Sequence, residues 1–231
     1  MKTTIVFSDL EDLVDIKIEE DDGSVSSKKI TMNNLAEIFR IQESRKYYLH
    51  GQLFRNPKIE EYVEGMIFGE STEKRCKGIF FIPGEVRCMK IAGEKIMIPY
   101  PSLIFAIKAK DGCRKVSYCF AVKEKKIDDI RMDTKLFAYP FGNVQPSDGK
   151  ICWGSNILPP LNDFKNLQGA ITIFYSSASN SDYVRPGKSY SASYGNYMQF
   201  LKGLTELEKF PVKALVKSPA FRTFNELFVS L

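Results

Sequence analysis

The middle of the chain alternates hydrophobic and polar residues in a series of short runs that predict successive β-strands. The predicted strands span 78–82, 85–91, 94–98, 102–110 and 114–123. Asp111-Gly112 separates the last two, and this dipeptide favours a hairpin because both residues tolerate the backbone of a tight turn. The pattern is typical of an antiparallel meander of consecutive strands.

The last predicted strand carries different residues on its two faces. Its hydrophobic face consists of Val116, Tyr118, Phe120 and Val122, and its polar face carries Lys115, Ser117 and Lys123. This alternation predicts a sheet with one face packed on the core and a wetter opposite face. Upstream of residue 102, Pro99 and Pro101 flank Tyr100 and lack backbone donors, so they predict a strand edge or a crossover.

Residues 1–60 are predicted to form an N-terminal extension packed on the core. Within it, 14–19 alternate as in a half-buried strand, and 21–24 are typical of a turn. Two short helices are predicted next, one with apolar residues on one face at 35–39 and one over 57–66 that begins at a proline.

The last third of the chain has helical periodicity. The residues at helical spacing that follow the meander are Leu161, Phe164, Leu167 and Ile171. They predict a helix that packs across the meander. The remaining predicted elements are a loop at 176–193, a helix at 197–207 that ends before Pro211, and a short final helix at 218–228. The fold class predicted from these elements is α+β, with a core at 61–190 and a C-terminal helical segment at 191–231.

Composition narrows the class of protein. Hydrophobic residues make up 44% of the chain and charged residues 26%, which is typical of a globular protein with a packed core. The 33 basic and 28 acidic residues are spread along the chain, so the basic stripe of a nucleic-acid-binding protein is not predicted. No run approaches the roughly 20 apolar residues that span a bilayer, and no export signal is recognised, so a cytoplasmic protein is expected.

The cysteine and histidine content limits the chemistry. Five cysteines without a small-domain disulfide pattern predict reduced thiols. His50 is the single histidine, which excludes a histidine-rich metal site and leaves one residue for any mechanism that needs a histidine base. No C-x-x-C pair occurs, so a zinc site is not predicted.

The segment 140–154 carries the clearest candidate chemistry. It places Asn143 before a Pro-Ser-Asp-Gly turn and then Cys152 among hydrophobic neighbours. This order predicts an extended loop that presents one thiol beside one carboxamide.

The same residues, preceded by a meander and followed by a helix, resemble the catalytic segment of the ubiquitin-conjugating enzyme superfamily. Asn143-Val144 and the run 149–152, Gly-Lys-Ile-Cys, occupy the places of that family's Asn-Val/Ile and Cys motifs. Phe141 and Gly142 stand where His and Pro are usual, the turn is one residue longer, and Trp153 follows the cysteine. This variant is similar to a bacterial branch, the Prok-E2 type D or PRTRC system protein B family, most strongly over 95–175.

The resemblance implies a ubiquitin-conjugating-like antiparallel meander with flanking helices and an extended Asn-to-Cys active-site loop. It implies a transferase that accepts a ubiquitin-like protein as a thioester on Cys152 and passes it to an amine. Asn143 would stabilise the oxyanion or order the loop. The implied partners are the ubiquitin-like protein, a ThiF-like activating enzyme and a JAB-type isopeptidase, and the conjugating step needs no metal or organic cofactor.

Thioester transfer fits a chain that is poor in histidine. A thioester is already a reactive acyl donor, so the receiving thiol needs access more than a dedicated base. Asp182 and Asp148 are candidates to help deprotonate an incoming lysine, although aspartate in such loops is also ordinary turn chemistry. Trp153 could form a wall of the thiol site or pack beneath it.

Two alternatives remain open at this point. One is a non-catalytic member of the same fold that binds the modifier or acts as a scaffold, which the departures at Phe141 and Gly142 suggest. The other is a Cys-His hydrolase or acyltransferase, which would depend on His50. Cys113 and Cys119 are interpreted as structural, and Cys76 and Cys88 could face each other across strands.

Overall fold

The computed structural model describes residues 2–7, 13–31, 46–49 and 63–231. It divides the chain into two compact units, 1–45 and 46–231. The predicted division into an extension, a core and a C-terminal segment, and the packing of the extension on the core, stay predictions. The helix predicted at 35–39 lies outside the described residues, and so does His50.

The first unit contains a three-stranded antiparallel sheet. Its strands, in the order β1-β2-β3, are β1 (Lys2–Phe7), β2 (Leu13–Glu19) and β3 (Val25–Thr31). Ile16 and Ile18 are half-buried while Lys17 is exposed, so the alternating strand predicted at 14–19 is confirmed. The predicted turn is confirmed as well, and Asp22 Oδ1 accepts a hydrogen bond from the Ser24 amide at 2.9 Å.

The second unit is mixed α+β and mostly antiparallel. Its strands are β4 (Lys46–Leu49), β5 (Met66–Ser71), β6 (Arg75–Ile82), β7 (Val86–Ile91), β8 (Glu94–Pro99), β9 (Ser102–Lys110), β10 (Cys113–Val122), β11 (Phe137–Ala138) and β12 (Ala178–Ser179). The main sheet has the order β11-β10-β9-β6-β5-β4, and a smaller sheet has the order β12-β7-β8. The five predicted strands are confirmed, but the prediction that they form one meander of consecutive strands is wrong. Strand β6 pairs with β9, and the β7–β8 hairpin between them belongs to the smaller sheet. The chain returns to the main sheet at Pro99–Pro101, where prolines cannot continue the pairing.

Three α-helices lie in the described part of this unit. They are α1 (Phe164–Ser176), α2 (Tyr197–Thr205) and α3 (Phe224–Ser230). Asp163 caps α1 by accepting from the Asn166 amide at 2.7 Å, and this cap explains why the helix begins after Leu161. Helix α2 ends at Thr205, before the predicted stop at Pro211.

The end of the helix predicted over 57–66 is wrong where the structure describes it. Met66 begins strand β5 and is fully buried. Gly65 adopts a φ of +79° and its carbonyl accepts the Phe81 amide at 2.7 Å, so the chain enters the sheet there. A left-handed glycine ends helical geometry, and periodicity alone does not reveal it.

The prediction of one wetter face for the meander is also wrong, because both faces are covered. On one face, Phe105 and Cys119 belong to the larger core together with Phe164 of α1. On the other, Phe120 packs with Leu227 of α3 in a second core. Ser117, expected on the wet face, is only 1% exposed.

Candidate active site

The segment 140–154 folds as a short hairpin that lies along β10. Val144 and Ile151 form an antiparallel bridge, and the Gln145 amide donates to the Lys150 carbonyl at 2.9 Å. The Ile151 amide donates to the Ser117 carbonyl at 3.0 Å, which attaches the hairpin to the edge of β10. Backbone hydrogen bonds therefore fix this loop both internally and against the main sheet.

The turn of the hairpin is built by Asp148 and Gly149. Asp148 Oδ1 accepts the Lys150 amide at 3.0 Å, and Asp148 Oδ2 lies 3.0 Å from Lys150 Nζ. The hydrogen bond between the two side chains and the negative charge of Asp148 raise the pKa of the Lys150 ammonium. Gly149 has a φ of +72°, and a Cβ there would meet the Phe120 ring at 2.1 Å. Both carboxylate oxygens of Asp148 contact Lys150, which favours the turn interpretation of this residue.

Cys152 points outward between two buried neighbours. Ile151 and Trp153 are both in the larger core, whereas Cys152 is exposed. Trp153 Nε1 donates to Ser117 Oγ at 2.8 Å, which satisfies the buried indole and also explains why Ser117 is buried. Trp153 therefore packs beneath the segment and anchors the backbone on which the thiol stands.

Asn143 connects the backbone of Cys152 to the smaller sheet. Its carbonyl accepts the Cys152 amide at 2.8 Å, and its Nδ2 donates to the Ala178 carbonyl at 2.8 Å. Its φ of +68° lies in the left-handed region, which asparagine adopts more readily than most residues. These contacts bring Asn143 and Cys152 together and favour the loop-ordering interpretation of the amide.

The packing around Phe141 and Gly142 explains why these residues stand where the motif usually has His and Pro. Phe141 is fully buried, and its ring lies against those of Tyr100 and Phe200. Gly142 lies so close to the next loop that an added Cβ would be 1.9 Å from the Asn180 carbonyl oxygen. Its amide donates to the Tyr197 hydroxyl at 3.3 Å, and burial raises the pKa of Tyr197 to about 12.

We expect Gly142→Ala to lower the free energy of unfolding by about 1–3 kcal/mol, because backbone must move to make room for the methyl group. The same shift would disturb the hydrogen bond from Asn143 to Ala178. Urea unfolding followed by circular dichroism measures the change. Gly169→Ala is the matched control, since Gly169 lies in α1 with nothing within 4 Å of an added Cβ. That variant is expected to gain about 0.5–1 kcal/mol. Equal stability of Gly142→Ala and the wild type would contradict the packing argument.

Tyr183 is the site residue that the sequence did not predict. It is half-buried in the turn that follows β12. Interaction with the Cys152 side chain raises the pKa of the Tyr183 phenol above its ordinary value of 10.0, with smaller contributions from desolvation and from Asp182. The signal in the sequence was slight: a tyrosine next to Asp182 in a small, polar loop.

Asp182 lies in the same turn as Tyr183 and is exposed. Its amide donates to Asn180 Oδ1 at 3.2 Å, so the backbone of the turn is held locally. Its role in deprotonating an amine stays a prediction.

The other described cysteines differ from Cys152 in their surroundings. Cys76 and Cys119 are buried, and burial raises the pKa of the Cys119 thiol. Cys88 and Cys113 are exposed on β7 and at the start of β10. Among the residues that the structure describes, no cluster of His, Cys, Asp and Glu could hold a metal ion. In the same part of the chain, no helix has the length and apolar character to span a membrane.

Comparison with protein families identifies a family for most of the chain. The family model described as prokaryotic E2 family D matches residues 54–218, which is more than half of the chain. The matched range includes the hairpin that carries Cys152 and the turn that carries Tyr183. No curated protein and no solved structure matches the chain.

Proposed function

Since the chain belongs to the prokaryotic E2 family D, we propose that it accepts a ubiquitin-like protein as a thioester on Cys152 and transfers it to an amine. The observation that carries this proposal is the exposed Cys152 thiol, held on a fixed hairpin beside Asn143. The family supports a bacterial protein of the E2 type in a ubiquitin-like modifier pathway, and the chemistry at Cys152 is our inference.

The loading step is an exchange of one thioester for another. The Cys152 thiol loses its proton to solvent, and the thiolate attacks the carbonyl carbon of the modifier's C-terminus on the activating enzyme. The new C–S bond forms and the old one breaks. The departing cysteine of the activating enzyme leaves as a thiolate and takes a proton from solvent. Little catalytic help is needed because the two thioesters are similar in energy, so exposure of Cys152 is the main requirement.

The transfer step needs more catalytic help, because charge on the thioester oxygen must be stabilised and the amine must lose a proton. An amine attacks the thioester carbonyl, and negative charge develops on its oxygen. A primary amide has two N–H donors. Asn143 uses one of them in its hydrogen bond to the Ala178 carbonyl, and the other is available to donate to the oxyanion. The amine loses its proton to the exposed carboxylate of Asp182 or to solvent.

The proposed partners are a small ubiquitin-like protein, a ThiF-like adenylating enzyme that supplies it, and a JAB-type isopeptidase that removes it again. The conjugating step uses only side chains and the incoming thioester, so the proposal requires no metal or organic cofactor on this chain.

The test is reconstitution with the activating enzyme, the modifier, Mg²⁺ and ATP. We expect an adduct that is heavier by the mass of the modifier, is lost on addition of reductant, and maps to Cys152 by peptide mass spectrometry. The Cys88→Ala and Cys113→Ala variants are matched controls that remove the other two described exposed thiols and should retain the adduct. An adduct that maps to another cysteine, or no adduct at all, would overturn the proposal.

The non-catalytic alternative predicts a different result in the same assay. A modifier-binding scaffold would retain the modifier without a covalent bond, so denaturing gels would show no adduct. The departures that suggested this alternative, Phe141 and Gly142, fill the core and permit close packing of two loops. Neither of them covers the Cys152 thiol, which is why we favour the catalytic proposal. A Cys-His hydrolase would instead lose its activity in His50→Ala.

A further inference from the structure

A small cavity lies beside Asn143, where the end of α1 meets β12. Its volume is about 10 Å³, and Asn143, Tyr175 and Ser179 are among the residues that line it. A cavity of this volume has room for one water molecule and for no larger ligand. Its size therefore restricts what it can bind to a single small molecule.

Two hydroxyl groups in the lining of this cavity are buried and unpaired. They are the Tyr175 hydroxyl and Ser179 Oγ, and neither forms a hydrogen bond with any residue that the structure describes. Ser177 also lines the cavity, but its Oγ donates to the Ile173 carbonyl at 2.6 Å and is satisfied. A buried hydroxyl without a partner is costly, because it has given up its hydrogen bonds to solvent. These two hydroxyls therefore require a polar partner in the cavity.

The chemistry of the lining selects a neutral partner. No lining residue carries a carboxylate to hold a cation or a basic side chain to hold an anion. Burial raises the pKa of the Tyr175 phenol well above its ordinary value of 10.0, so it stays a neutral hydroxyl at neutral pH. The Tyr175 and Ser179 hydroxyls can each donate and accept a hydrogen bond, and a water molecule does the same.

We propose that this cavity binds one water molecule, which bridges the Tyr175 hydroxyl and Ser179 Oγ. Buried waters usually form about three hydrogen bonds. Tyr100 and Tyr139 also line the cavity, and their hydroxyls are available for the third. The proposal goes beyond the function proposed above and does not depend on it.

The proposed bridge spans the connection that holds the Asn143 side chain. Tyr175 lies in the last turn of α1, and Ser179 is the last residue of β12. Between them lies Ala178, whose carbonyl accepts Asn143 Nδ2 at 2.8 Å. The water thus belongs to the part of the fold that supports Asn143.

Tyr175→Phe tests whether the hydroxyl has a partner. The variant keeps the ring and its contacts with Tyr100 and Phe105. We expect the equilibrium constant for unfolding in urea to rise about 3- to 10-fold, which is the usual loss for one hydrogen bond between neutral groups. Removal of an unpaired hydroxyl would instead stabilise the protein, so a fall in this constant would overturn the proposal. Tyr194→Phe, at a half-buried tyrosine outside the cavity, is the control and should leave the constant unchanged.

The bridge also predicts that Tyr175→Phe and Ser179→Ala are coupled, because they remove two partners of the same water. Each single change should raise the unfolding constant. The double variant should raise it by less than the product of the two single effects. Effects that multiply independently would show that the two hydroxyls share no partner, and the bridge would be refuted.

A high-resolution crystal structure observes the water directly. We expect a peak of electron density about 2.7–3.0 Å from both the Tyr175 and the Ser179 hydroxyl oxygens. A cavity without such a peak, or a direct hydrogen bond between the two side chains, would overturn the proposal. None of these measurements uses the modifier or the activating enzyme, so their failure would leave the function proposed above standing.

Discussion

We expect Cys152→Ala to form no adduct with the activated modifier, and Cys152→Ser to form one that survives reductant. A serine ester is not cleaved by thiols, whereas a thioester is exchanged readily. Serine should load more slowly, because its hydroxyl is a much weaker nucleophile than a thiolate. The measurement is a denaturing gel and an intact mass, each with and without reductant.

Neither change at position 152 should unfold the protein. The Cys152 side chain is exposed, and the buried Ile151 and Trp153 on either side keep the backbone in place. Both variants are expected to unfold within about 0.5 kcal/mol of the wild type, as is usual for surface substitutions. Cys113→Ser is the control for a serine at another exposed thiol and should leave a reductant-sensitive adduct. Adduct on Cys152→Ala would refute the assignment of the nucleophile.

The second large effect is expected at Asn143. Removal of its amide should slow discharge of the thioester about 10²- to 10³-fold, the usual loss for one oxyanion donor. Formation of the thioester should be affected less, because exchange between thiols depends mainly on access to Cys152. Single-turnover loading and discharge, measured separately, show which step changes.

Two replacements at Asn143 distinguish the effect of losing the side-chain amide from the effect of backbone strain. Asn143→Gly removes the amide but adopts the φ of +68° without strain. Asn143→Ala removes the same amide and adds about 1–2 kcal/mol of left-handed strain. Both variants should discharge slowly, and only the alanine variant should carry the additional loss of stability. Discharge at the wild-type rate in Asn143→Gly would rule out a role for the amide in the reaction.

Strands were predictable where local chemistry determines them. The Asp111-Gly112 turn separates β9 from β10, and the prolines at 99 and 101 mark the crossover between sheets. The burial of Ser117 was not predictable, because it depends on Trp153, which is 36 residues away in the sequence. Periodicity reports one strand at a time and does not reveal which distant residue will cover each face.

The candidate site divides in the same way. The order of Asn143, a turn and Cys152 is local, and it indicated the hairpin region from sequence alone. The approach of Gly142 to Asn180 joins segments about 40 positions apart. A glycine that is required by a neighbouring carbonyl looks like any other glycine in a sequence. Tyr183 likewise carries no motif of its own.

The Ala178 carbonyl, which accepts the Asn143 side-chain hydrogen bond, belongs to β12, a strand that pairs in parallel with β7. Ala178 pairs in parallel with Lys90 of β7, and Lys90 Nζ also donates to the Ser176 carbonyl at 3.2 Å. The β7–β8 hairpin thus helps to fix the position of the Asn143 side chain, although this hairpin lies far from Cys152 in the sequence. Substitutions in that hairpin can therefore shift Asn143 relative to Cys152 while both residues are retained.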